Sequence, residues 1–260
     1  MRRFAVVNQK GGVGKTTTAL SLGALLARDH APVLLVDLDP HGSLTTYFGL
    51  DPDRVQAGSQ SLFDVPPGTD FPPLESLAVP TGTPNLILLP AASTLATIER
   101  RLASAVGTGL VLRTAIEKSG SDFSHILIDT PPTLGVLMIN ALAACEQVII
   151  PAQTDYLALR GLDLVSRTLE RVRKTRHWPL PELIVPTFYD RRTKASEAGL
   201  AELKRRYPER LWPDVIPIDS GIRNASAAGI PYPAYNPRGK ATRAYERLLS
   251  HLLPREGNTE

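Results

Sequence analysis

A glycine-rich run near the N-terminus carries residue types that bind phosphate. It reads Asn8-Gln-Lys-Gly-Gly-Val-Gly-Lys-Thr-Thr17, between a short apolar run and a helical pattern. Glycines let the backbone wrap around phosphate oxygens, and successive N–H groups and a helix N-terminus hold the negative charge. In such a loop the lysine reaches the outer phosphates and the following hydroxyl binds Mg²⁺. The predicted nucleotide-binding residues are Gly11, Gly12, Val13, Gly14, Lys15, Thr16 and Thr17.

Three aspartates follow apolar runs further along the chain. Asp37 and Asp39 come after Val33-Leu-Leu-Val, and Asp129 ends His125-Ile-Leu-Ile. Ligands bind at the carboxyl ends of the strands in open α/β sheets. Alternation along a strand predicts that Asp37 and Asp39 face the same side. An Asp-x-Asp pair after a strand is by itself more often a turn, but an upstream phosphate loop favours a catalytic interpretation.

The phosphate loop departs from the general G-x-x-x-x-G-K-[ST] pattern, because Gln9 replaces its first glycine and Lys10 is an additional lysine. The resulting K-G-G-x-G-K-[ST] sequence resembles the deviant Walker A loop of the ParA/MinD family of P-loop ATPases. The resemblance implies ATP and Mg²⁺ as cofactors. It also implies an ATP-bound homodimer, in which Lys10 crosses to the nucleotide of the partner subunit.

The same resemblance assigns roles to the acidic residues. It implies that Asp37 orients Mg²⁺ through water, that Asp39 positions the attacking water, and that Asp129 holds a Mg²⁺-bound water. Lys10, Lys15 and Asp39 are then the catalytic residues, and Thr16, Asp37 and Asp129 form the metal site. The segment from Ile216 to Ala225 resembles the family stretch that borders the adenine, which makes Pro217 a nucleotide-binding residue.

Short β-branched runs alternate with longer helical patterns over the chain. This alternation predicts an α/β fold with a doubly wound, mostly parallel sheet and helices on both faces. The expected strands are 4–8, 33–37, 86–89, 125–129, 147–151 and 183–187, and the expected helices are 15–29, 93–104, 109–119, 134–144, 157–176, 194–207 and 240–253.

Length and composition fit a single domain, so the resemblance implies one P-loop ATPase domain over residues 1–260. The chain is 43% hydrophobic and 21% charged, with a net charge of +3 and one cysteine, Cys145. The sequence shows no apolar run long enough to span a membrane and no secretory leader, so a cytoplasmic protein without membrane insertion is expected. Residues 66–84 contain six prolines and are interpreted as a surface excursion inside the domain, and residues 254–260 as a polar tail.

Basic residues are concentrated late in the chain, with eleven between Arg191 and Arg243. Grouped cations bind phosphate backbones without sequence preference. Arg192 and Arg223 occupy positions that resemble the DNA-contacting arginines of ParA-like proteins, although Ile218 stands where many relatives carry arginine. The alternative is a solvated helix face, because Glu197, Glu202 and Glu209 lie among these cations.

The leading hypothesis is an ATPase that positions or segregates cargo, associates with the nucleoid through non-specific DNA binding, and hydrolyses ATP when a partner protein stimulates it. The run from Asp39 to Gly49, with His41 in place of the usual glutamine, resembles the branch that positions chemosensory arrays. The alternative is a MinD-like membrane-associated regulator of division. That function needs a projecting C-terminal amphipathic helix, whereas Pro254 ends the last helical pattern here.

Overall fold

A computed structural model describes residues 1–66, 69–103, 107–120, 122–175 and 178–253. Seven strands form one sheet in the order β3-β4-β2-β5-β1-β6-β7. All neighbouring pairs are parallel except β3 and β4, which are antiparallel. The strands are β1 Arg2–Val6, β2 Val33–Asp37, β3 Val79–Pro80, β4 Leu86–Leu89, β5 His125–Asp129, β6 Gln147–Gln153 and β7 Glu182–Thr187.

Helices connect the strands and cover the sheet. They are α1 Lys15–Leu26, α2 Ser43–Tyr47, α3 Leu74–Leu77, α4 Leu95–Leu102, α5 Val111–Lys118, α6 Val136–Ala144, α7 Tyr156–Thr175, α8 Lys194–Arg206, α9 Gly221–Ala227, α10 Tyr232–Tyr235 and α11 Lys240–Leu252.

Two hydrophobic cores lie on opposite faces of the sheet. Leu34 and Ile126 pack on the face covered by α6 and α7, whereas Leu35 and Leu127 pack on the face covered by α1 and α11. Because successive side chains of a strand point to opposite faces, the central strands must be apolar throughout. This arrangement confirms the predicted doubly wound, mostly parallel fold.

Three strands begin and end where the sequence predicts, and the first strand does not. It covers Arg2–Val6, because Asn8 already belongs to the phosphate loop and donates from Nδ2 to the Pro151 carbonyl at 2.7 Å. The short helices α2, α9 and α10 were not predicted. Segments of four to seven residues complete too few turns to show a helical period.

The proline-rich stretch 66–84 contains two elements that the sequence did not predict. Helix α3 buries Leu74 and Leu77, and β3 pairs with β4 at the edge of the sheet. Pro80 is tolerated there because an edge strand needs no donor on its outer side. Within this stretch residues 67–68 lie outside the described residues, as does the predicted tail at 254–260.

Candidate functional site

The glycine-rich loop joins β1 to α1, and its backbone conformation depends on two glycines. Gly12 has φ 73° and Gly14 has φ 91°, values that L-residues with a side chain rarely adopt. The loop borders a cavity of about 400 Å³, here called the loop cavity. Its lining is formed by Gly11, Gly12, Gly14, Lys15, Thr16, Thr17, Asp39, His41, Ser43, Pro132 and Phe188.

Neighbouring strands hold the loop backbone in place. Thr187 Oγ1 donates to the Val13 carbonyl at 2.9 Å, and Gln153 Nε2 donates to the Gly12 carbonyl at 3.0 Å. Val13 itself is fully buried and does not line the loop cavity. The loop is therefore anchored from β6 and β7 before any ligand binds.

Lys15 is the first residue of α1 and is buried at the base of the loop. Its Nζ donates to the Lys10 carbonyl at 3.4 Å. Burial lowers the pKa of Lys15, and the nearby charges of Asp129 and Asp39 partly oppose that change. A buried ammonium group at the wall of a cavity has a strong preference for an anion that neutralises it.

Asp37 and Asp129 lie side by side because the register of β2 and β5 pairs them. Burial raises the pKa of Asp37 to about 6, and burial followed by the Asp37 charge raises the pKa of Asp129 to about 8. Thr16 Oγ1 donates to Asp129 Oδ2 at 2.6 Å. Among the described residues, the other oxygen of Asp129, Oδ1, has no hydrogen-bond partner.

Both oxygens of Asp37 have backbone partners. Oδ2 accepts hydrogen bonds from the Thr45 N–H at 2.8 Å and the Thr45 hydroxyl at 2.7 Å, and Oδ1 accepts one from the Asp39 N–H at 3.0 Å. Thr45 is a residue that the sequence analysis missed, because a threonine in a short unpredicted helix gives no signal. The Asp37 side chain thus fixes the turn that presents Asp39.

Asp39 lines the loop cavity and is 8% exposed. Alternation along one strand is not what positions Asp39, since β2 ends at Asp37. Asp39 lies in the following turn, where its Oδ1 accepts a hydrogen bond from the His41 N–H at 3.0 Å. Its position on the cavity wall comes from that turn.

Lys10 contacts residues of its own chain. Its Nζ donates to Gln153 Oε1 at 2.8 Å and forms an ion pair with Asp155 Oδ2 at 3.0 Å. The Lys10 and Asp155 side chains are 30% and 44% exposed. The ion pair between Lys10 and Asp155 is therefore accessible from the surface of the chain.

Pro217 borders a second cavity, of about 330 Å³, next to the loop cavity. This Pro217 cavity is also lined by Gly14 and Thr17 of the phosphate loop and by Ile222 and Tyr245. Three isoleucines, Ile216, Ile218 and Ile222, line this cavity, whereas the charged residues Lys15 and Asp39 line the loop cavity. An apolar cavity beside a phosphate loop suits the nucleoside part of a nucleotide.

Arg192 and Arg223 lie outside the loop cavity. Arg192 donates to both carboxylate oxygens of Asp190, at 2.9 and 2.7 Å, and this contact lowers the pKa of Asp190 to about 2. Arg191, Arg192 and Lys240 line one shallow cavity with Ile218, and Arg223 lines the Pro217 cavity, which also includes Ile218. The two predicted arginines thus flank Ile218, which is 42% exposed.

Several cations in this part of the chain are already paired. Arg205 contacts Glu202, Arg206 contacts Asp163, and Arg210 contacts Glu182. In the part of the chain that the structure describes, Arg191, Arg223 and Lys240 form no ion pair. The available positive surface is therefore smaller than the count of basic residues implies.

Glu99 on α4 was not singled out in the sequence. A Cβ atom on Gly135 would lie 1.9 Å from Glu99 Oε1, so the carboxylate packs directly on the backbone that precedes α6. Burial and, to a smaller extent, the Asp39 charge raise the pKa of Glu99, whereas a hydrogen bond from the Leu137 backbone lowers it. No local pattern marks this residue, because its contacts come from a helix more than thirty residues away.

The carboxylates at the base of the loop fit a divalent cation. Asp37 and Asp129 are buried as a pair, and no described lysine or arginine forms an ion pair with either of them. The unpartnered Asp129 Oδ1 and the adjacent Thr16 hydroxyl are hard oxygen donors of the kind that Mg²⁺ prefers. The residues present are therefore suited to Mg²⁺ bound together with phosphates.

A parallel sheet whose first strand leads into this loop, with acids at the ends of β2 and β5, defines a P-loop nucleoside triphosphatase. A family model described as an AAA domain matches residues 1–180. The chromosome partitioning protein ParA of Caulobacter vibrioides is 36% identical over 260 residues, covering 98% of this chain and 95% of that protein. The sporulation initiation inhibitor protein Soj of Bacillus subtilis is 36% identical over 250 residues, covering 96% and 97%.

The chain belongs to the ParA/Soj family of partitioning ATPases, which confirms the family predicted from the sequence. Among solved structures, it is also similar to cobyrinic acid a,c-diamide synthase from Mycobacterium smegmatis, which was crystallised with an ATP analog and magnesium. That match has a TM-score of 0.82 and 35% identity, and covers 97% of this chain and 94% of the other.

Proposed function

We propose that residues 1–260 form one ATPase domain that dimerises with ATP and Mg²⁺, binds DNA without sequence preference, and positions or segregates a cargo. A partner protein stimulates its hydrolysis. The observation that carries this proposal is the loop cavity, which the glycines of the phosphate loop line together with the buried side chains of Lys15 and Asp39. The ParA and Soj relatives support the partitioning role.

Each residue of the loop cavity has a distinct role in the reaction. Lys15 neutralises the outer phosphates, and the loop N–H groups hold their oxygens. Thr16, Asp37 and Asp129 would hold Mg²⁺, which would supply charge neutralisation for phosphoryl transfer. Asp39 accepts a hydrogen bond from the attacking water and orients it toward the outermost phosphate.

Lys10 links nucleotide binding to dimerisation. In the single chain it pairs with Asp155 at the surface, where an exposed ion pair contributes little stability. When a second copy presents its bound triphosphate, the phosphate oxygens offer Lys10 a more highly charged partner than Asp155. Exchange of these partners makes the dimer dependent on ATP.

DNA binding uses the positive surface around Ile218. Arg191, Arg223 and Lys240 are the cations available there, and Arg192 joins them by exchanging Asp190 for a DNA phosphate. Dimerisation doubles this surface and lets two weak sites act together. Such binding places the protein on the nucleoid in the cytoplasm.

The Asp39→Ala variant tests the hydrolytic role. It keeps the lysines and the metal donors, so ATP binding persists while turnover falls by about 10²-fold or more. Sedimentation with ATP and Mg²⁺ is expected to show an accumulating dimer, and Asp39→Ala combined with Lys10→Ala serves as the monomeric control. Wild-type turnover in Asp39→Ala would contradict the proposed role.

A salt series tests DNA binding by the trapped Asp39→Ala dimer. The logarithm of the binding constant is expected to fall linearly with the logarithm of the salt concentration, by about 0.9 per phosphate neutralised. Changing Arg192 and Arg223 to glutamate removes DNA binding, and Arg192→Glu alone leaves basal ATPase activity unchanged, because Arg192 lines neither the loop cavity nor the Pro217 cavity. Binding to anionic vesicles in place of DNA would support the MinD-like alternative.

The MinD-like alternative requires an amphipathic C-terminal helix whose apolar face is free, and α11 is the last helix that the structure describes. This helix buries Tyr245, Leu248 and Leu252 against the core, and Glu246 pairs with Arg28 at 2.9 Å. Its apolar face is therefore occupied by the protein itself. Within the described residues, none of the helices has the length and apolarity that crossing a bilayer requires.

Amide synthesis is a second candidate, because the chain is 35% identical to cobyrinic acid a,c-diamide synthase from Mycobacterium smegmatis. The reactions differ in what accelerates ATP consumption. Partitioning predicts stimulation by DNA together with a partner protein, whereas amide synthesis predicts stimulation by a carboxylic acid substrate and a nitrogen donor. Measuring ADP release under both conditions separates the two functions.

A further inference from the structure

Phe188 combines an unusual backbone conformation with an exposed aromatic ring. Its φ of 52° lies in the left-handed region, which bulky residues rarely occupy. The residue is also 45% exposed, so burial of its ring within the chain does not compensate for the strain. Strained residues of this kind persist where the surrounding structure determines them, often at ligand sites.

Hydrogen bonds on both sides of Phe188 impose this conformation. Thr187 Oγ1 donates to the Val13 carbonyl of the phosphate loop at 2.9 Å. On the other side, the Tyr189 N–H donates to the Ile216 carbonyl at 3.1 Å, and the Ile218 N–H donates to the Tyr189 carbonyl at 3.0 Å. The chain must turn sharply between these two anchors, and Phe188 is the residue at the turn.

The turn directs the ring to the junction of two cavities. Phe188 lines both the loop cavity and the Pro217 cavity. A Cβ atom on Gly14 would lie 3.4 Å from Phe188 Cε2, which places the ring against the phosphate loop. A nucleotide with its phosphates in the first cavity and its base in the second must pass alongside this ring.

We propose that Phe188 is a nucleoside-binding residue, whose ring packs against the sugar and base of the nucleotide held by the phosphate loop. This inference rests on the proposed function and names a contact within that site. The ring carries no charge and no hydrogen-bonding group, so it contributes through apolar contact and not through the phosphates. The contact is therefore the same for ATP and ADP.

The test measures binding of two probes to the full chain by calorimetry, Mg²⁺–ADP and Mg²⁺–tripolyphosphate. Phe188→Ala is expected to bind ADP about tenfold more weakly, since it loses part of an aromatic contact, and to bind tripolyphosphate within about twofold of the wild type. Phe188→Tyr retains the ring and is expected to retain ADP affinity. Tyr235→Ala is the matched control, because Tyr235 is also 45% exposed and lies in neither cavity.

Four outcomes overturn the inference. Unchanged ADP affinity in Phe188→Ala shows that the ring does not contact the nucleoside. An equal loss of ADP and tripolyphosphate affinity shows that Phe188 shapes the phosphate loop instead. A wild-type chain that binds neither probe overturns the proposed function itself, and the inference with it. Phe188→Gly relieves the backbone strain while removing the ring, so ADP affinity restored to wild type in that variant also contradicts a direct contact.

Discussion

Two groups of buried acids lie at opposite ends of the parallel sheet, and they differ in how their charge is balanced. At the start of β7 the side chain of Glu182 is 1% exposed and is held by Arg173 and Arg210. At the ends of β2 and β5, Asp37 and Asp129 are as deeply buried but face each other, with only neutral donors attached. The charge of Glu182 is therefore balanced by two ion pairs, whereas Asp37 and Asp129 have no ion-pair partner among the described residues.

The difference separates a structural site from a binding site. A buried carboxylate with two guanidinium partners has no capacity left for a ligand, so Glu182 joins β7 to α7 and to the segment around Arg210. Asp37 and Asp129 raise each other's free energy in the metal-free protein and are relieved by a cation. An uncompensated buried pair is therefore the better guide to function.

The largest expected loss of unfolding free energy comes from removing Glu182, the acid of the structural site. Glu182→Ala leaves two arginines without their shared acid, and loss of one partner of a buried ion pair typically costs about 3–5 kcal/mol. The loss of unfolding free energy is expected to be smaller here, because the Arg173 and Arg210 side chains are 34% and 39% exposed and water partly solvates their charges. Urea denaturation measures the loss.

Glu202→Ala is the control for that measurement. Glu202 pairs with Arg205 on the exposed face of α8, so its removal is expected to change the unfolding free energy by about 0.5 kcal/mol or less. Equal effects of the two substitutions would show that burial of Glu182 contributes nothing to the stability of its ion pairs.

The second prediction concerns the binding site, where removal of a buried acid is expected to stabilise the metal-free protein. The pKa of Asp129 is raised from 3.8 to about 8, so between these pH values the folded chain holds a proton that the unfolded chain has released. The unfolding free energy of the metal-free protein therefore falls as pH rises through this window. Asp37 adds a smaller fall between 3.8 and about 6.

Asp129→Asn removes the larger part of that pH dependence. At pH 8 without Mg²⁺ it is expected to raise the melting temperature by several degrees, on the order of what 1–2 kcal/mol produces in a chain of this size. The same variant loses Mg²⁺-dependent ATP turnover. Melting curves from pH 5 to 8.5 with and without Mg²⁺–ATP provide the measurement, and a less stable variant at pH 8 would contradict the interpretation of Asp129 as an uncompensated acid.

The third prediction concerns Asp155, an acid of the functional region that is exposed and paired. Asp155→Ala is expected to change the unfolding free energy by less than about 1 kcal/mol, because the ion pair with Lys10 is accessible to solvent. It also removes the acidic partner of Lys10 and leaves only the neutral partner Gln153 to hold this lysine within its own chain. The variant is therefore expected to dimerise at a lower ATP concentration, which sedimentation across an ATP series measures; dimerisation that needs more ATP would show that Asp155 supports the dimer instead.

The phosphate loop and most of the sheet could be predicted from short stretches of sequence. Glycine spacing defines the loop, and continuous apolar runs define buried strands such as Val33–Asp37, Leu86–Leu89 and His125–Asp129, whose bounds agree with the structure. The short helices and the edge strand β3 were missed, because their few residues are stabilised by packing and not by a repeating pattern.

The sequence by itself determined that the site binds a nucleoside triphosphate, since few other functions use a glycine-rich loop with Lys15 and Thr16 followed by acids at the ends of strands. Only the tertiary structure decided which buried acids have ion-pair partners and that Lys10 pairs with Asp155. It also decided that the Phe188 ring lines both the loop cavity and the Pro217 cavity. Each of these outcomes depends on residues far apart in the chain, such as Asp37 with Asp129, Lys10 with Asp155, and Thr187 with Val13. Local residue preferences carry no information on such pairings, which arise when the sheet register and the packing of the helices bring the side chains together.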